Sequence, residues 1–174
     1  MLTLLSMSEQ QRGRRAIEVG PTGQTVAENL ARLRERRGLT TRQLSGMLER
    51  AGRPIPASGI TRMEQAKRVV TTDELMAIAA ALNVSPAALL LPPDARQPIQ
   101  ITGAGEVDGF AAWQWMWSAQ PLRFPEGDKE EVERALITFL MDSRPVGLVT
   151  DQGDDRSLIA GLGVQLHPRR SDDG

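Results

Sequence analysis

The run Gly59–Arg68, GITRMEQAKR, concentrates side chains able to meet a polyanion. Read as a short helix from Ala57 to Gln65, it sets Ile60, Met63 and Glu64 on one face and Thr61 and Arg62 on another. An arginine projecting from mid-helix donates two parallel hydrogen bonds to O6 and N7 of a guanine, or contacts a phosphate, or stays solvated. Ala57, Ser58 and Gly59 make a small-sided helix start that permits close approach, and the Ser58 hydroxyl adds a hydrogen-bonding group. Thr61 is a further candidate for a base or phosphate contact. Lys67 and Arg68 follow in a basic loop. Together these residues have the chemistry of a helix that enters the DNA major groove.

The elements that must hold this helix are legible from caps and periodicity. Thr25 with Glu28 fits a capping box, in which each side chain satisfies a free backbone N–H of the first turn. It predicts a first helix starting at Thr25, with Val26, Leu30 and Leu33 inward and Gly38 as its left-handed stop. Thr40 with Gln43 repeats the signal for a second helix, with Leu44, Met47 and Leu48 inward and Gly52 at its end. The connection Arg53–Ser58 is stiffened by two prolines, and Ile55 is expected to plug the core beneath it. Thr71 with Glu74 opens a fourth helix lined by Leu75, Ile78, Ala79 and Leu82, which Asn83 stops. Ser85–Pro86 starts a short fifth helix through Leu91, and Pro92–Pro93 closes the unit.

With these residues in place, 26–91 resembles the helix-turn-helix domain of the Xre family, the Cro/cI-type phage repressors and their bacterial relatives. Three blocks carry the likeness in order: LxxLRxxRGLT at Leu30–Thr40, ITRMEQAKR at Ile60–Arg68 and DELMAIAAALNVSPAALL at Asp73–Leu90. The resemblance covers under half of the chain. It implies an all-α, five-helix, lambda-repressor-like DNA-binding domain. It also implies a structural ion pair between Arg34 and Glu64 that orients the reading helix, and a backbone grip by Lys67 and Arg68. Thr41 and Arg42 open the second helix, whose free N–H groups suit a phosphate. Three positions depart from the family: Thr41 stands where glutamine is common, Ala66 where glycine is usual, and the Arg53–Ser58 connection is longer than the norm.

Charge divides the chain. Residues 1–70 carry 13 Lys and Arg against 6 Asp and Glu, a formal +7; residues 71–174 carry 8 against 16, a formal −8. That asymmetry suits a polyanion-binding part joined to an acidic one. There is no cysteine, which excludes disulfides and thiolate metal sites, and the lone histidine, His167, sits in a polar tail without a second ligand. No apolar run reaches the ~18–20 residues of a membrane span. The start, MLTLLSMSEQ, has no basic stretch ahead of its apolar stub and does not read as a secretory signal; Met1 and Met7 are both candidate starts. GAGEVDG at Gly103–Gly109 lacks the spacing of a dinucleotide loop. Nineteen arginines against two lysines suggest a GC-rich bacterial source.

The expected organisation is a flexible arm (1–24) bearing the RGRR run at Arg12–Arg15, the helix-turn-helix domain (25–93), a small α+β dimerisation or partner region (94–166) and a polar tail (167–174). Within the acidic part, Ile99–Ile101 reads as a strand and Asp108 as the cap of a helix through Ala111–Trp117. All three tryptophans lie there, either packed on the protein's own core or presented to a partner. Asp128 with Glu131 opens an amphipathic helix bearing Val132, Leu136, Phe139 and Leu140. Val146–Thr150 and Leu158–Leu166 read as strands. The expected function is a cytoplasmic, dimeric, sequence-specific DNA-binding repressor with no catalytic site, metal or cofactor. The alternative is an antitoxin-like or adaptor protein whose C-terminal half holds a partner protein.

Overall fold

A computed structural model describes residues 18–145, which divide into two compact units between Trp113 and Gln114. The first contains α1 (Pro21–Arg36), α2 (Thr41–Arg50), α3 (Ala57–Glu64), α4 (Thr72–Ala81) and α5 (Ala87–Leu90). An antiparallel hairpin follows, β1 (Ile99–Ile101) with β2 (Gly105–Val107), in the register Ile99 to Val107 and Ile101 to Gly105. Helix α6 (Gly109–Met116) crosses the division, and α7 (Lys129–Ser143) belongs to the second unit. The two strands expected beyond residue 145, the RGRR run, His167 and the polar tail lie outside the described residues. No helix among the described residues is long and apolar enough to cross a membrane.

The core of the first unit is assembled from the inward faces of the helices. Leu30, Leu44, Leu48, Ile60, Met63, Ile78, Leu82 and Leu89 are fully buried, with Leu33, Ile55 and Ala79 beside them. Burying side chains of this size stabilises by roughly 1.5–3 kcal/mol each before chain entropy is counted. Ile55 fills the position expected of it. Its carbonyl accepts the Ser45 hydroxyl at 2.6 Å, which ties the α2–α3 connection back onto α2.

Two of the three expected capping boxes, at Thr40–Gln43 and Thr71–Glu74, are formed. The first helix differs. It starts at Pro21, four residues before the Thr25–Glu28 signal, so residues 21–24 are helix rather than flexible arm. Proline suits the first helical position because its φ is preset and its missing N–H has no helical partner anyway. The first turn also finds a partner distant in sequence: Thr22 N donates to Thr102 Oγ1 at 3.3 Å and Thr102 N donates to Thr22 Oγ1 at 2.9 Å. Thr25 does not cap; its hydroxyl donates to Pro21 O at 3.3 Å. Because α1 packs on β1, the hairpin and the start of α6 belong with the helical unit, which therefore extends past the expected boundary at residue 93.

Five helix ends share one device. After α1, α2, α3, α4 and α6 a residue takes positive φ: Gly38, Gly52, Ala66, Asn83 and Ser118. In each case the next N–H reaches back to the carbonyl five positions earlier, as in Leu39 N to Arg34 O at 3.1 Å and Lys67 N to Arg62 O at 2.9 Å. This left-handed closure satisfies carbonyls that the helix leaves open.

Asp108 caps α6 as expected, accepting from Ala111 N at 2.9 Å. Gly109 is required there: a Cβ would stand 2.3 Å from the Gln97 carbonyl oxygen and 2.6 Å from that of Ala95. Trp113 donates its indole N–H to Pro92 O at 3.1 Å and so closes the helical unit. In the second unit, Asp128 caps α7. Arg144 Nε donates to Ser118 O at 3.0 Å, which ties the end of α7 to the loop after α6. No residue of α7 is fully buried, and Ile137 and Met141 are exposed.

Candidate nucleic-acid interface

Helix α3 is anchored by one face and open on the other. Ile60 and Met63 are fully buried, while Ser58 and Arg62 are exposed. Arg62 has no hydrogen bond or ion pair among the described residues, so its guanidinium is available to a ligand. Ala57 and Gly59 are half-buried. Thr61 donates its hydroxyl to Ala57 O at 3.0 Å, which leaves it as an acceptor and a methyl contact rather than a donor. An open pocket of about 280 Å³ lies beside the helix start, lined among others by Pro54, Ser58, Gly59, Arg62 and Arg68.

The far end of α3 is fixed to α1. Arg34 Nε donates to Glu64 Oε1 at 2.6 Å and Nη2 to Glu64 Oε2 at 3.0 Å, a two-point fork, while Nη1 donates to Leu39 O at 2.8 Å. Both side chains are about nine-tenths buried, at 12% and 11% exposure. The hydrogen bonds it donates to Glu64 raise the Arg34 guanidinium above its usual pKa against the opposing effect of burial. The pair expected between these residues is therefore present. With its planar donors turned inward, Arg34 works as a clasp between helices.

The loop after α3 holds the two basic residues in different states. Lys67 is exposed. Arg68 is only one-third exposed and donates through Nη2 to Glu74 Oε1. One arm of the Arg68 guanidinium is thus committed inside the protein. Ala66 precedes them at φ +52°, the conformation a glycine would adopt there. The family-like loop is kept despite the alanine, at a cost of about 1–2 kcal/mol for a Cβ in the left-handed region. Glu74 is itself 5% exposed. Burial pushes its pKa up, but the Thr71 N–H bond and the Arg68 guanidinium outweigh this and hold it below the ordinary carboxylate range.

At the start of α2, Thr41 is half-buried and Arg42 exposed. The Thr40 hydroxyl accepts from Gln43 N at 3.2 Å, so one free N–H of that turn is already satisfied. Helices α2 and α3 pack on each other, and α3 also on α1.

Three contributors are hard to see in the sequence. Asn29, 2% exposed, donates to Leu89 O at 3.1 Å and Leu91 O at 2.8 Å and accepts from Arg32, which clasps α5 to α1. Ser45 fixes the α2–α3 connection. Glu74 reads as a cap from its spacing to Thr71; its second role with Arg68 has no local signal.

Residues 25–91 match the family model described as a helix-turn-helix domain, which supports a DNA-binding unit over that segment, under half of the 174 residues. No curated protein and no solved structure gave a match.

Proposed function

We propose that this protein is a sequence-specific DNA-binding transcriptional regulator of the Xre, Cro/cI type, a dimeric repressor acting in the bacterial cytoplasm through a lambda-repressor-like domain. It performs no chemistry and needs no cofactor. The observation that carries this reading is the exposed Ser58–Arg62 face of α3, clasped by Arg34–Glu64 within a segment that matches a helix-turn-helix domain. Arg62 and Ser58 read base edges, Ala57 and Gly59 allow close approach, and Thr61 accepts from a base or its hydration. Thr41, Arg42, Lys67 and Arg68 hold phosphates. Selection of bound sequences from a random duplex library tests it. An enriched inverted repeat is expected; the absence of any enriched sequence rejects sequence-specific binding.

A second reading is favoured by one observation, the exposed apolar residues Ile137 and Met141 on α7, in a helix with no buried residue. Apolar side chains left open in this way suit a protein interface. On this reading the C-terminal half holds a partner protein and DNA binding is secondary. A stoichiometric protein retained through a high-salt wash supports it. Recovery of the chain alone counts against it.

A further inference from the structure

The ion pair between Arg68 and Glu74 joins the loop after α3 to the first turn of α4. Both oxygens of Glu74 are used: Oε2 accepts Thr71 N at 3.0 Å and Oε1 accepts Arg68 Nη2. The carboxylate is nearly buried and its position is fixed by the helix cap. The Arg68 guanidinium is therefore held at one edge, and its other edge extends to α3. Nη1 lies 3.6 Å from where a Cβ on Gly59 would stand. Arg68, Glu74, Ser58 and Arg62 line the same pocket of about 280 Å³.

We infer that Glu74 is a positioning residue for DNA binding, holding Arg68 against the start of α3 so that its free edge meets a backbone phosphate beside the bases that Arg62 reads. The inference rests on the DNA-binding reading above. An arginine on a flexible stem loses rotamer freedom when it grips a ligand, and fixing it beforehand removes that cost. An acidic residue near a polyanion ordinarily weakens binding. Glu74 does the opposite, because its charge is spent on orienting a cation.

The opposed signs make the test sharp. Glu74→Gln keeps the shape and an acceptor for Thr71 N while removing a negative charge. Simple electrostatics then predicts tighter binding. Positioning predicts that affinity for the selected duplex falls about five- to tenfold near 0.1 M salt and that the salt slope drops by about 1. In an Arg68→Ala background the same change should have no further effect. Thermal unfolding of each variant fixes a temperature at which all are folded. If Glu74→Gln does not fold, Glu74→Asp keeps the net charge but withdraws the carboxylate, and the same loss is expected. Tighter or unchanged binding, or an equal loss without Arg68, overturns the inference while leaving the DNA-binding reading intact. If the unaltered chain binds no duplex, that reading falls first and this inference with it.

Discussion

Arg34 and Glu64, thirty positions apart, meet in a two-point fork of 2.6 and 3.0 Å that locks the last turn of α3 to α1. The fork is shielded enough that neither charge can be removed alone without leaving the other poorly solvated. Glu64→Ala should cost about 3 kcal/mol, towards the range for a broken buried pair rather than the ~0–1 kcal/mol of an exposed one. DNA binding should fall with it, because α3 loses its anchor. A double-mutant cycle on Arg34 and Glu64, read by denaturant unfolding, checks this; a coupling energy near zero removes the pair from the account.

Ala66 offers a gain instead of a loss. Its φ of +52° holds a Cβ in the left-handed region, where an L side chain is strained. Ala66→Gly relieves about 1–2 kcal/mol of strain and returns part of it by loosening the unfolded chain. A net stabilisation of about 0.5–1 kcal/mol should appear as a higher denaturant midpoint with an unchanged slope. Ser118, at φ +55°, differs, because its hydroxyl donates to Ser143 O at 3.3 Å and a glycine would lose that bond. A lower midpoint for Ala66→Gly would show that the alanine side chain makes a stabilising contact there.

The helical unit was legible because its signals are local. Two of the three expected capping boxes, Gly38, Gly52, Asn83 and the inward leucines each state their role within a few residues. What escaped depends on distant partners. The start of α1 at Pro21 is stabilised by Thr102, eighty residues away, so the local Thr25–Glu28 signal competes with a tertiary one and loses. Gly109 looks like part of a loose glycine run, yet only a glycine fits between it and the carbonyls of residues 95 and 97. On α3, the outward position of Arg62 is readable from helix periodicity, and the Arg34–Glu64 pair from resemblance. The tether on Arg68 is not, because the Thr71–Glu74 spacing already accounts for Glu74 as a cap and a single carboxylate serving two partners leaves no second mark in the sequence.

Glu74 also gives the unit an acid sensitivity. Its carboxylate is held below the ordinary range, so the folded state favours the charged form more than the unfolded chain does. For a depressed acid the stabilisation is fully present above the unfolded pKa near 4.5 and is lost as pH falls through the lower folded value. Unfolding free energy should therefore decline below about pH 4.5, and Glu74→Gln should flatten that part of the profile while lowering the neutral plateau. Chemical denaturation across pH 3 to 7 reads both. A profile whose acid limb is the same in the variant would assign the loss to other carboxylates.

On the proposed DNA-binding reading, α3 and the loop after it divide specificity from affinity. Arg62 is exposed at mid-helix, where a guanidinium can reach a guanine edge, whereas Lys67 is exposed in the loop after α3 and carries an ammonium point charge suited to a phosphate. Arg62→Ala should cost about 1–3 kcal/mol on the selected sequence and relax preference at one base position per half-site, with a much smaller loss on unrelated duplexes. Lys67→Ala should weaken all duplexes about equally and lower the salt slope by about 1. If the protein binds as a symmetric dimer, the relaxed positions should appear twice, about one helical turn (~34 Å) apart. Binding measured on matched and scrambled duplexes at several salt concentrations distinguishes the two residues. A uniform loss for Arg62→Ala would place it on phosphate. Base reading would then fall to Ser58, whose single hydroxyl discriminates weakly, and to Thr61, whose donor is already spent on the helix backbone. The protein would then take its sequence preference mainly from the shape of the duplex.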